Sequence, residues 1–304
     1  MFFGSVLGVG GLGNGWRAAH RLWGAPWVVG EALCVLAVAI WLTLLSLYAL
    51  KWTFHRAEAK AELADPVFAL LASLAPVATL IAAIAIEPIF HAGGLVMLAA
   101  GLAGATAFAA WSIGGLWLGG RAQEAVTPVL YMPTVGGGFV AGLACATYGW
   151  PTAGWMFFGA GLLSWMSMES VVLVRLLAIG LPVERRATLG VHLAPPAVAA
   201  VAWCALEPAH GVTTIGLALL GYGCFLALVM IRLVPWLREQ AFSPAAWGYT
   251  FGVSALPLAA MRLTEKGAAA PAPEIAALAF VAANLIIGWI ALRSLSLILR
   301  WARA

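Results

Sequence analysis

Residues 66–86 read PVFALLASLAPVATLIAAIAI, 21 residues without one charge and with Pro76 at their middle. That is the length a helix needs to cross the hydrocarbon core of a bilayer. Proline at the centre removes a backbone donor and clashes with the preceding turn. Lipid offers nothing to the carbonyl it frees, so such a break belongs where protein or a water-lined cavity surrounds it. The stretch therefore predicts a membrane helix that is broken in the middle and enclosed by other helices.

Working outward, further apolar runs fall at 3–23, 27–50, 92–118, 128–149, 151–178, 187–206, 211–234, 244–263 and 271–298. With 66–86 they make ten spans in one transmembrane domain covering 1–304, since the connections leave no room for a second domain. Composition agrees. The chain has 304 residues, 63% hydrophobic and 9% charged, where a soluble domain carries roughly 25% charged residues. Its net charge of +4 is spread over short interhelical clusters, so the lipid bilayer and not nucleic acid is the expected partner. No basic stretch opens the chain at Met1–Ser5, and no cleaved signal peptide is expected.

Charge sorts the loops. Twelve basic residues (Lys51, Arg56, Lys60, Arg121, Arg175, Arg185, Arg186, Arg232, Arg238, Arg293, Arg300 and Arg303) fall on the side that holds both termini. Four (Arg17, Arg21, Arg262 and Lys266) fall on the other. The positive-inside rule then places both termini in the cytoplasm. Trp16, Trp23, Trp27, Trp52, Trp150, Trp155, Trp236 and Trp247 cluster near span ends as an aromatic belt.

The odd-numbered spans share a feature. Pro76, Pro133, the pair Pro195–Pro196 and Pro257 sit near the middle of the third, fifth, seventh and ninth, while the first is glycine-rich at Gly8, Gly10, Gly11, Gly13 and Gly15. The even spans have no proline in their interiors. Two odd spans end alike, in Glu87-Pro88 before His91 and Glu207-Pro208 before His210. The pattern predicts a helical hairpin repeated five times, with five odd helices as an inner ring around a pore and five even helices as an outer wall.

Along the inner spans the polar groups are Asn14, Ser73, Thr134, His192, Thr250 and Ser254, with no ring of carboxylates for cations. Half-helix ends and hydroxyls suit anions, so a nearly neutral pore for small anions is expected. Asn14, Gly15, Ser73, Pro76, Pro133, Thr134, Gly137, His192, Pro195, Ser254 and Pro257 are its candidate lining. Glu169, on the sixth span, is expected in a structural ion pair with Arg121 or Arg175.

No HExxH or paired-aspartate motif is present, the five histidines are scattered, and the lysines all lie in loops. An enzyme is therefore not expected. Cys34, Cys145, Cys204 and Cys224 lie in apolar runs without CxxC spacing, so no metal and no cofactor is expected either.

Several stretches resemble the tellurite-resistance/dicarboxylate transporter family. Thr127-Pro128-Val129-Leu130-Tyr131-Met132-Pro133-Thr134-Val135 looks like its fifth-span signature. Gly159-Ala160-Gly161-Leu162-Leu163-Ser164-Trp165 followed by Glu169 is similar to its sixth span. Trp247-Gly248-Tyr249-Thr250-Phe251-Gly252-Val253-Ser254-Ala255 is similar to its ninth, Leu193-Ala194-Pro195 to its seventh, and Trp16-Arg17 to the end of its first. The likeness covers nearly the whole chain and is nearest the bacterial branch, with the plant slow anion channels more distant. It implies a homotrimer in a bacterial inner membrane, each protomer with its own pore, and a phenylalanine that plugs the pore, here Phe251. Ser254, Ala255 and Leu258 share its helical face. His192 departs from the amide or small residue expected there. A proton-coupled carrier of dicarboxylates or tellurite is the alternative within the family, and His192 is the inner-helix residue able to titrate for it.

Overall fold

The computed structural model describes residues 2–120, 122–207 and 211–301. Arg121 and Arg303 from the charge tally, and Pro208 and His210 from the second Glu-Pro ending, lie outside the described residues. Within them the chain is helical throughout, with no strand. The helices are α1 (Gly4–Trp23), α2 (Trp27–Phe54), α3 (Arg56–Ala64), α4 (Phe68–Leu71), α5 (Leu74–Ile86), α6 (His91–Trp117), α7 (Gly137–Thr147), α8 (Pro151–Ala178), α9 (Ala194–Leu206), α10 (Thr214–Leu237), α11 (Trp247–Glu265) and α12 (Ala272–Trp301).

By length and apolarity, eight segments among the described residues qualify as membrane spans. The two expected spans not among them are α1 and α11, which are 20 and 19 residues long. Glycine, Asn14, Arg17 and Arg21 in α1, and Thr250, Ser254, Arg262 and Glu265 in α11, dilute their apolarity.

Proline placement controls where the helices break, and the repair is the same each time. Ala72, Val129 and Val191 are the carbonyls four residues before Pro76, Pro133 and Pro195, and each has lost its normal α-helical donor. Each accepts instead from the residue just before the proline: Ala75 N–H, Met132 N–H and Ala194 N–H. A tighter turn thus satisfies the carbonyl without help from cavity or water. The chain departs from the α-helix just before α5, through a 3₁₀ turn at Pro128–Tyr131 and a π turn at Met132–Gly136 before α7, and through a 3₁₀ stretch at Val183–Leu193 before α9. Pro257 does not follow this pattern, because α11 runs through it unbroken. Pro235 lies inside α10, which continues to Leu237, so that helix is not proline-free as its expected end at 234 implied.

Burial separates two classes. Of the apolar windows in 68–86, 128–147 and 183–206, 67, 78 and 89% is buried, against 11% for α2 and 22% for α6, α8, α10 and α12. More than half of α1 and of α11 is buried as well. Consecutive helices pack in pairs: α1 on α2, α5 on α6, α7 on α8, α9 on α10, α11 on α12. The buried members also touch one another in order, α1 to α5, α5 to α7, α7 to α9, α9 to α11 and α11 back to α1.

Small residues permit these approaches. A Cβ at Gly8 would stand 2.2 Å from Thr250 Oγ1, and one at Gly11 would stand 2.2 Å from Ser254 Oγ, so glycine lets α1 and α11 close on each other. Not every tryptophan serves the expected belt. Trp16 Nε1 donates to Asn284 Oδ1 at 2.9 Å, Trp247 Nε1 donates to Ser294 Oγ at 3.0 Å, and Trp155 packs edge-on against Trp203. Trp23, Trp27 and Trp150 are exposed at helix ends.

Candidate functional site: two cavities that share Phe251

Two cavities meet at Phe251, and each is lined from the same five buried segments. The first takes Gly4 and Leu7 from α1, Leu71 and Leu74 from the α4–α5 segment, Val129 and Met132, Val191 and Ala194, and Trp247 and Gly248. The second takes Gly11 and Asn14, Ile81 and Ile84, Leu143 and Thr147, Val198 and Val201, and Ser254, Ala255, Leu258 and Arg262. In every element the second set lies further along the chain than the first, so the five segments run in one direction past both cavities. Phe251 lines both and is the single residue they share. Its ring is buried at their junction.

Polar groups in this path are turned to their own backbone. Ser254 Oγ donates to Phe251 O at 3.1 Å, and Thr147 Oγ1 donates to Leu143 O at 3.0 Å. Asn14 Nδ2 donates to Gly10 O at 3.0 Å. Such back-bonding leaves a hydroxyl only its lone pairs to present.

Of the residues singled out from the sequence, Phe251, Asn14 and Ser254 line the cavities, as do Gly11 and the two residues expected on the Phe251 face, Ala255 and Leu258. The others face elsewhere. Ser73 is buried with Oγ donating to Leu70 O at 2.6 Å. Pro76 packs against Gly104 of α6, Gly137 faces Ala105 of α6, and Gly15 faces Phe280 of α12. Thr134 Oγ1 reaches toward Met168 Sδ of α8 at 3.9 Å. Pro133, Pro195 and Pro257 are buried in the segments that carry them and line neither space.

His192 also points away from both cavities. Its Nε2 lies 3.3 Å from Glu169 Oε1 of α8, and its Nδ1 lies 3.3 Å from Tyr131 Oη. The 3₁₀ winding of Val183–Leu193 carries the ring outward to that position. Of the two partners expected for Glu169, Arg175 donates from Nη1 to the Gly180 carbonyl instead, and Arg121 lies outside the described residues. Trp165, Tyr131 and Tyr222 complete the Glu169 site.

Most of the lining missed by sequence reasoning is aliphatic. Leu7, Leu74, Ile81, Val191 and Val198 carry no chemical mark that separates a pore wall from a core. Arg262 was within reach, because it continues the Phe251–Ser254–Leu258 face by one more turn.

Apolar helices long enough to span a bilayer, with cavities lined from five buried segments, define a polytopic helical membrane protein. The family described as SLAC1, voltage-dependent anion channel, matches residues 1–295, and the chain belongs to that family. It is 29% identical over 299 residues to the tellurite resistance protein TehA homolog of Haemophilus influenzae, a match covering 97% of this chain and 89% of that protein.

Proposed function

We propose that the chain conducts small anions across the membrane along the axis of the two cavities, with the Phe251 ring as its gate. The observation that carries this is the sharing of Phe251 by two cavities that are each lined from the same five elements. A buried aromatic ring blocks a narrow apolar path without charge, and a rotamer change reopens it. In this reading ten helices cross the bilayer as five hairpins. The inner five are α1, α4–α5, the segment ending in α7, the segment ending in α9, and α11; α2, α6, α8, α10 and α12 are the wall. The order of neighbours and the split in burial support that ring. Both termini are cytoplasmic, the membrane is the bacterial inner membrane, and three copies assemble with a pore in each.

A coupled carrier of dicarboxylates or tellurite is the second reading, and the name of the Haemophilus relative favours it. It needs a titrating group in the path. His192 is held by Glu169 and Tyr131 outside both cavities, which weighs against it.

Planar-bilayer recording decides between them. Phe251→Ala is expected to raise chloride and nitrate currents over the parent protein without a proton gradient. Uptake into proteoliposomes that requires a proton gradient and is lost in His192→Ala would instead establish the carrier. An unchanged conductance in a correctly assembled Phe251→Ala protein would remove the gate.

A further inference from the structure

Among the described residues that line either cavity, Arg262 is the only one with an ionisable side chain. It stands eleven residues after Phe251 on α11, three helical turns and about 16 Å along the same face. The other polar groups of its cavity have given hydrogens to their own backbone: Ser254 to Phe251, Thr147 to Leu143, Asn14 to Gly10. A wall of aliphatic side chains, of hydroxyls presenting lone pairs and of a single spare Asn14 N–H has no strong preference for an anion. One fixed guanidinium supplies it.

The surroundings compensate that charge only in part. Arg262 Nη1 meets Glu265 Oε2 at 3.3 Å, and the other oxygen of the same carboxylate accepts from Arg21 Nε at 3.0 Å. Two guanidiniums therefore share one negative charge. Arg17, the next cation on α1, is held by Glu31 through both carboxylate oxygens, and Lys266 Nζ donates to the Glu207 carbonyl at 2.9 Å. The Arg262 side chain is 42% exposed and borders the second cavity.

We propose that Arg262 is the selectivity residue of the path: its guanidinium draws a hydrated anion into the cavity beyond Phe251 and repels cations. This role rests on the anion-path reading above. A guanidinium offers paired N–H donors to chloride, nitrate or a carboxylate alike, so Arg262 sets the sign of the ion and not its identity.

The test uses the full chain in planar bilayers, in the Phe251→Ala background, with a potassium chloride gradient. Reversal potentials there should report anion preference. Adding Arg262→Gln is expected to lower the chloride-to-potassium permeability ratio about tenfold, the factor for one charge-assisted hydrogen bond. Arg262→Lys should keep most of the preference. The difference between Arg and Gln should shrink as ionic strength rises toward 1 M, because salt screens a fixed charge but not a packing defect. Glu265→Gln, which releases Arg262 from its shared partner, should raise the ratio severalfold, and it carries the test if Arg262→Gln fails to assemble. An unchanged ratio in Arg262→Gln, or in Glu265→Gln where that variant stands alone, overturns the assignment while leaving the Phe251 gate intact. A silent Phe251→Ala protein removes the path itself, and the role of Arg262 with it.

Discussion

His192 Nε2 lies 3.3 Å from Glu169 Oε1, joining the segment that leads into α9 to the exposed helix α8. The same carboxylate accepts from Tyr131 Oη at 2.8 Å, from Trp165 Nε1 at 2.8 Å and from Tyr222 Oη at 3.2 Å. Four elements are tied through one side chain, right beside the turns forced by Pro133 and Pro195. Buried donors cost most when their acceptor vanishes. Glu169→Ala should therefore lower stability by about 3–5 kcal/mol, and Glu169→Gln, which keeps one acceptor oxygen, by about half as much. Thermal unfolding in detergent, followed by tryptophan fluorescence, measures both. Arg175→Gln is the contrast, since Arg175 serves the Gly180 carbonyl and leaves the Glu169 site untouched.

Close helix contacts make a second prediction. A Cβ at Gly138 would stand 2.7 Å from Gly161 Cα and 2.8 Å from Phe157 O, both of them backbone atoms of α8. No side chain can rotate out of the way, so Gly138→Ala must push α7 and α8 apart and should be among the most destabilising alanine substitutions in the chain. Gly11→Ala meets Ser254 Oγ at 2.2 Å and Ser254 Cβ at 2.9 Å, which are side-chain atoms. Pairing it with Ser254→Gly should recover much of the loss, and a double-mutant cycle on melting temperature reads the coupling. A Gly138→Ala protein as stable as the parent would show that the α7–α8 contact gives way more easily than its backbone atoms imply.

How much of this was legible in the sequence follows from which physical signal each part sends. The helical membrane class was legible because twenty uncharged residues have few other uses. The buried class was marked by Pro76, Pro133 and Pro195, although the turn before each proline supplies the missing donor from within the chain. At Pro257 the burial followed but the break did not: α11 stays whole, because proline can sit in a helix whose neighbours absorb it. Phe251 was found through its motif and not through its chemistry: thirteen phenylalanines are present, and nothing in an aromatic ring tells a plug from a core residue. His192 and Glu169 were both noticed but not joined. They are 23 positions apart and on different helices, and only the 3₁₀ winding of Val183–Leu193 turns one toward the other.

At the end of α1 a paired contact supports a third prediction. Arg17 Nε donates to Glu31 Oε1 at 2.8 Å and Arg17 Nη2 donates to Glu31 Oε2 at 2.7 Å, while Nη2 also reaches Ala85 O at 2.9 Å. One guanidinium thus clamps α1, α2 and α5. Lysine keeps the charge but not the planar fork. Arg17→Lys should cost about 1–2 kcal/mol, and Arg17→Gln more, because it also leaves Glu31 without a counter-charge. Melting temperatures in detergent test the order. Equal values for Arg17→Lys and the parent would mean that charge alone holds this corner.

Phe251 should separate blocking from packing when set beside Phe139. Phe139 is fully buried, packs against Phe158 and Trp165, and lines neither cavity. Truncating it removes contacts on every side, so Phe139→Ala should cost about 3–5 kcal/mol and leave conductance as it was. Phe251 faces empty space on two sides, so less packing is lost with its ring. Phe251→Ala should cost less than Phe139→Ala while raising single-channel current at least about tenfold, as expected when an apolar plug leaves a narrow path. Phe251→Leu should fall between the parent and Phe251→Ala, and Phe251→Trp should stay closed, because block by a ring follows the volume that fills the junction. Currents that flow in Phe251→Ala but fail to follow side-chain volume across the rest of this series would place the barrier at another point of the path, and the first cavity, whose wall carries no charge, is where it would then have to be sought.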